Sequence, residues 1–200
     1  LPDADANLVP NREPHATVGA GGSSATNAYR HAPIIPPTTG ATQVINDETG
    51  WQRGFEVDMM GTVRLVNAAM PYLEKSAHPS IVTISSVSAR EIDFASGPYG
   101  AFKAAIVHYT QGLAYHLAGK GIRANTVSPG NTYFPGGVWN QIEHGNPALF
   151  KQAMDLNPTG RMGTPKEMAN AAVFLASPAA SFITGTNLVV DGALTKGVQL

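Results

Sequence analysis

No cysteine occurs in this sequence of 200 residues. Disulfides, thiolate catalysis and cysteine-ligated metals are therefore excluded. A chain without thiols suits a reducing compartment, and a cytoplasmic location is expected. Charge is also scarce: 14% of residues are charged and the formal net charge is −1. No run of Lys or Arg stands out, so no nucleic-acid surface is expected. No stretch approaches the roughly 18 apolar residues of a membrane helix. The start, Leu1-Pro2-Asp3-Ala4-Asp5, has neither a basic segment nor an apolar run and does not read as a signal peptide. It also lacks an initiator methionine, as expected of a fragment or a processed chain. The six histidines (15, 31, 78, 108, 116 and 144) show no metal-ligand spacing with carboxylates, so no metal is expected. What is present is ample apolar material, 43% of residues, enough for the core of one α/β domain.

That material is unevenly arranged. Residues 1–50 hold six Pro and five Gly and read mostly as loop, with Ala6–Val9 and Ala16–Val18 as short strand candidates. From Trp51 the pattern becomes regular. Apolar Phe55, Met59, Val63, Val66, Met70 and Leu73 recur at helical spacing and predict a helix over about 51–75, capped by Asp47 or Thr49. Residues 80–85 are short, β-branched and apolar, as in a buried parallel strand. A second long helix is predicted over 99–119, then a strand over 122–127 and a looser helix over 147–155. Pro165 opens a further helix to 176, with Met168, Ala172, Phe174 and Leu175 on its buried side. A last strand is predicted over 186–190. This alternation predicts a Rossmann-like three-layer α/β fold, a doubly wound parallel sheet whose N-terminal βα units are missing or irregular. The chain is expected to be a single domain over 1–200, irregular in 1–50. Ligands of such sheets bind at the carboxyl ends of the strands, here Ser85-Ser86, Ser128-Pro129-Gly130 and Asp191-Gly192.

One helix start carries chemistry. Tyr99 and Lys103 are four residues apart and share a face. A free phenol titrates near about 10. A neighbouring cation, helped by the positive helix N-terminus, favours the phenolate. Such a pair can give a proton to a carbonyl oxygen or take one from an alcohol. Ser86, at a strand end, can hydrogen-bond the same oxygen.

Each piece alone is weak; their order is specific. Ile81 through Ser86, then Tyr99-Gly100-Ala101-Phe102-Lys103, resembles the short-chain dehydrogenase/reductase family. So do residues 121–130, 161–167 and 174–177, and the run from Ile183 to Val189-Val190-Asp191-Gly192. The resemblance covers about 51–200. It implies a Rossmann-type fold and NAD(P)-dependent hydride transfer between an alcohol and a carbonyl of a small-molecule substrate, with NAD or NADP as cofactor. It implies Tyr99 as acid/base, Lys103 as its helper and a ribose ligand, and Ser86 as the group orienting the substrate oxygen. Pro129, Gly130, Asn131 and Thr132 match the loop along the nicotinamide, Thr132 standing slightly early. Family helices like 51–75 and 99–119 pack between subunits, so a homodimer or homotetramer is implied, with Met60, Ile106 and Leu113 as exposed apolar residues.

The sequence departs from the family twice. Asp58 stands where the family usually carries Asn, whose main-chain carbonyl holds a water contacting the lysine. Asp58 is read as a catalytic-relay residue working through its backbone, its added carboxylate opposing Lys103; the bland reading is a helix residue facing water. The usual Gly-rich pyrophosphate loop is not evident either. Val18-Gly19-Ala20-Gly21-Gly22 precedes no amphipathic helix and reads as flexible loop, while Ala6–Asn11 faintly matches the family's fourth strand. A silent relative that binds cofactor poorly, or a non-enzymatic subunit that assembles through its helices, is the alternative. Trp51 and Trp139 are expected to pack, with Trp139 a candidate substrate lid. His108 and His116, on the helix of Tyr99 and Lys103, are expected at the surface or in an interface.

Overall fold

The computed structural model describes residues 48–95 and 97–198. The candidate strands at 6–9 and 16–18, the Gly19–Gly22 loop and the Asp47 cap lie outside them. The first helical stretch joins α1 (Glu48–Gly54), a π-helical segment (Phe55–Met60) and α2 (Gly61–Leu73). Thr49 lies inside α1 and does not precede it. Strand β1 (Ser80–Ile84) leads through a 3-10 turn (Val87–Ala89) to α3 (Pro98–Leu117), opened by Pro98 in its first turn. Strand β2 (Arg123–Pro129) follows, then α4 (Val138–Gly145), α5 (Pro147–Asp155), α6 (Pro165–Ala176) and β3 (Asn187–Val190). Helices α5 and α6 match their predicted spans. Helix α4 was not predicted: its eight residues are too few to show a period beside the Gly136-Gly137 break.

Among the described residues the three strands form one sheet in the order β1-β2-β3, both pairs parallel. Parallel neighbours need crossovers, and α3 and α4–α6 supply them. One face of the sheet packs on α2 and α3: Val66, Ala114 and Leu117 meet Ile81, Ile122 and Ala124. Ile106 of α3 is buried, not exposed as expected, because its side of the helix turns toward the sheet. Arg123, next to Ala124, points to the other face. Its guanidinium donates to the carbonyls of Leu175, Ala176 and Ser177, closing the C-terminus of α6 there. Helices on both faces make the three-layer arrangement predicted. Within α6, Leu175 is buried while Phe174 is 44% exposed, so the apolar stripe is narrower than the spacing suggested. Ile84 is 49% exposed at the end of a strand predicted to be buried throughout.

The register sets the site. Ile84 lies opposite Val127, and the Ser85 N–H donates to the Val127 carbonyl. The carboxyl ends of β1 and β2 are therefore level, with Ser86 beside Pro129-Gly130.

Candidate active site

Lys103 lies on the sheet side of α3 with a side chain only 8% exposed. A lone buried ammonium would be costly, and three groups surround it. Its Nζ lies 3.1 Å from Asp58 Oδ1, 3.4 Å from the Ile84 carbonyl oxygen and 5.5 Å from the centre of the Tyr99 ring. The last is within cation–π range. An ammonium has three hydrogens, and two are directed to Asp58 and Ile84, leaving one for a ribose hydroxyl. The helix itself is anchored beneath: Ser85 Oγ donates to the Lys103 carbonyl at 2.8 Å. Gly100 permits the close approach, since a Cβ there would stand 2.8 Å from the Ser88 carbonyl oxygen.

Asp58 corrects one expectation. It does not face water: its side chain is 8% exposed and binds Lys103 directly. Its main-chain carbonyl, the group expected to hold a water, accepts the Thr62 hydroxyl at 2.7 Å. The π-helical turn, a feature common where helices carry function, contains Asp58 and packs on α3.

Ser86 caps the 3-10 turn. Its Oγ accepts the Ser88 N–H at 3.2 Å and donates to Ser88 Oγ at 3.2 Å. Ser88 Oγ donates in turn to Asp93 Oδ2 at 2.6 Å, and Asp93 Oδ1 accepts the Ala95 N–H at 2.8 Å. Ser88 and Asp93 were missed in the sequence, where only a Ser-x-Ser spacing after the strand hinted at them.

The four loop residues all stand at the β2 end. The Gly130 N–H donates to the Val190 carbonyl, and a Cβ on Gly130 would lie 2.6 Å from Asp191 Cβ. Only glycine fits there. Asn131 is buried and its carbonyl accepts the Gly163 N–H; Thr132 bridges to Gly163 and its hydroxyl donates to the Gly130 carbonyl. Next along, the Tyr133 phenol donates to Glu143 at 2.5 Å, which holds its pKa above the ordinary value, and accepts from Asn140. This ties α4 to the loop. Trp139 is 8% exposed, and its ring meets Phe94 edge-on at 5.1 Å and Phe150 at 6.5 Å. It packs in an aromatic cluster, as expected of it. Trp51 likewise packs against Phe102, and His108 and His116 are exposed. Among the described residues no cluster could hold a metal ion, and no helix is long and apolar enough to cross a membrane.

Parallel strands with helices on both faces define a Rossmann-like protein, and a Ser, a Tyr and a buried Lys at one strand end make a candidate acid–base site. A family model described as enoyl-(acyl carrier protein) reductase matches residues 30–195. The chain belongs to the short-chain dehydrogenase/reductase family. It is 46% identical over 151 residues to isoepoxydon dehydrogenase of Penicillium expansum, covering 74% of this chain and 58% of that protein. It is 35% identical over 150 residues to cis-4-hydroxycyclohexanecarboxylate dehydrogenase of Sinomonas cyclohexanicum, again covering 74% and 58%. Among solved structures, a gluconate 5-dehydrogenase from Burkholderia cenocepacia J2315 in complex with NADP and tartrate is similar. It superposes with a TM-score of 0.67 at 29% identity, over 77% of this chain and 59% of that one. The chain thus spans less than two thirds of the length of these relatives.

Proposed function

We propose that the chain is the catalytic part of an NAD(P)-dependent oxidoreductase interconverting a secondary alcohol and a ketone. The buried Lys103, held against the Tyr99 ring at the end of β1, is the observation that carries this reading. In oxidation, Tyr99 as its phenolate takes the alcohol proton and becomes the phenol, while Ser86 hydrogen-bonds the substrate oxygen. In reduction, the same phenol returns the proton. Transient negative charge on Tyr99 is offset by the Lys103 ammonium, and Asp58 fixes that ammonium in place. NAD or NADP, when bound, supplies the ring that accepts or gives hydride. Lys103 and Tyr99 would hold its ribose, and Pro129, Gly130, Asn131 and Thr132 its nicotinamide. The free third hydrogen of Lys103 and the glycine-tight loop at the β2 end fit that half of the dinucleotide. Self-association through α2 and α3 is part of the proposal, supported by the exposed side chains of Leu65, Tyr72 and Tyr115.

The test is titration with NADH and NADPH, followed by turnover of cis-4-hydroxycyclohexanecarboxylate, the ring alcohol named for the Sinomonas relative. Saturable quenching of tryptophan fluorescence by one cofactor is expected. Tyr99→Phe is expected to retain binding and lose turnover by about 10²-fold or more. Absence of binding to both cofactors, or full turnover in Tyr99→Phe, overturns the reading.

A further inference from the structure

We propose that Glu91 is a positioning residue that sets the size of substrate the site admits. It fastens the segment after β3 to the loop after β1. Residues 192–197 thereby form a strap that bounds the site and limits the bulk of the alcohol or ketone reaching Ser86 and Tyr99. The inference rests on the proposed function for the role of those two residues.

Both ends of the segment are tied, and to different strands. At its start, Asp191 follows β3 and lies against Gly130 at the end of β2. The Asp191 carboxylate folds the chain back. Its Oδ1 accepts the Ala193 N–H at 3.0 Å, and its Oδ2 accepts the Thr195 N–H at 2.9 Å and the Thr195 hydroxyl at 2.7 Å. Within this turn Ala193 takes φ +65°, a left-handed value that a residue with a Cβ keeps only where its surroundings impose it. Gly192, at φ +63°, passes the loop after α5: a Cβ there would stand 3.2 Å from Thr159 Cγ2. At the far end, Glu91 Oε1 accepts the N–H groups of Lys196 and Gly197 at 3.1 and 3.2 Å. Glu91 is itself held to the turn that Ser86 caps, since its own N–H donates to the Val87 carbonyl at 3.1 Å.

Sheet order turns these contacts into a boundary. Strand β2 lies between β1 and β3. A segment that leaves β3 and is fastened to the loop after β1 therefore passes the carboxyl end of β2, across two strand spacings of about 10 Å in all. Ser86 and Pro129-Gly130 stand at those same strand ends. Gly192, Ala193, Lys196 and Gly197 are exposed, so packing does little to hold the strap. The two bonds to Glu91 fix its far end, and they are charge-assisted. Without them the strap keeps its turn at Asp191 but is free to swing away from the Ser86 loop. The boundary then opens, while Ser86, Tyr99 and Lys103 keep their own partners.

The experiment compares the 200-residue chain with Glu91→Ala, Glu91→Gln and Gly197→Pro, each saturated with oxidised cofactor. Dissociation constants are measured by NMR titration for cyclohexanone and for 4-tert-butylcyclohexanone, ketones that do not react with that form of the cofactor. Glu91→Ala is expected to shift the affinity ratio toward the bulkier ketone by about tenfold, and to lose the slow amide exchange of Lys196 and Gly197. Glu91→Gln, whose amide oxygen still accepts both N–H groups, is expected to stay close to wild type in both readouts. Gly197→Pro deletes one donor from the other side of the latch and shifts the ratio the same way by less. It carries the test should Glu91→Ala not fold. A contact that is only structural lowers the melting temperature and weakens both ketones alike, leaving the ratio fixed. A fixed ratio in the variants that fold, or failure of the wild type to bind cyclohexanone, overturns the proposal. A fixed ratio beside wild-type turnover that Tyr99→Phe removes leaves the proposed function standing. A shifted ratio without any wild-type turnover removes the proposed function and leaves the strap.

Discussion

The Lys103–Asp58 pair and the Arg161–Glu167 pair both join a cation to a carboxylate, at 3.1 and 2.6 Å. By distance the second is the better bond, and Arg161 adds a parallel contact at 3.0 Å. Burial separates them. The side chains of Lys103 and Asp58 are each 8% exposed, those of Arg161 and Glu167 59% and 40%. An exposed pair trades water for a partner and is screened by salt, so it contributes little. A buried pair contributes little to net stability for another reason: desolvation offsets the attraction. What it does is make each partner indispensable to the other. Glu167 shows where exposed geometry still counts, because its carboxylate also accepts the Thr164 N–H and completes a capping box at the start of α6.

The comparison breaks most visibly at Asp58. Asp58→Ala leaves an ammonium buried without a counter-charge and is expected to cost about 3–5 kcal/mol in chemical denaturation. Replacing both partners, as Asp58→Leu with Lys103→Met, is expected to recover most of that loss, because no charge remains to be desolvated. If the double variant is no more stable than the single one, the pair is not the isolated electrostatic unit described here.

The exposed network gives a smaller effect. Thr164→Ala removes the cap hydroxyl that accepts the Glu167 N–H and is expected to cost about 1 kcal/mol by the same measurement.

The smallest effect is a pH dependence. The Arg161 hydrogen bond, with the two from Thr164, lowers the Glu167 pKa from 4.5 to about 2. A carboxyl group lowered in the folded state stabilises fully above its ordinary pKa and loses that contribution as pH falls toward the lowered one. Stability owed to Glu167 is therefore complete above pH 4.5 and fades toward pH 2. Comparing wild type with Glu167→Gln between pH 6 and 2 should show the two melting temperatures converging, and added salt should narrow the gap at pH 6. A gap that widens on acidification would contradict the assignment.

Much of this was legible in the chain. The predicted spans of α5 and α6, given as approximate, match the observed ones, and for α6 Pro165 announces the first turn and the apolar spacing follows it. Ser86, Tyr99 and Lys103 could be read because strand end, helix start and four-residue spacing are all local. Ile106 and Phe174 were misjudged for a complementary reason. Helical spacing says which residues share a stripe, but not how wide a stripe the neighbouring layer will cover.

By itself, then, the sequence determined the order of the described strands and of the helices other than α4, the parallel sheet that order requires, and the family residues at the strand ends. Local propensity, caps and hydrophobic period suffice for these. Only the tertiary structure decided that the Asp58 side chain meets Lys103 directly. That choice depends on a π-helical turn packed against α3, which no local pattern encodes. The Ser86–Ser88–Asp93 chain likewise exists only once the loop after β1 folds back on its own turn. Hydrogen bonds between side chains need ångström placement, and that comes from packing.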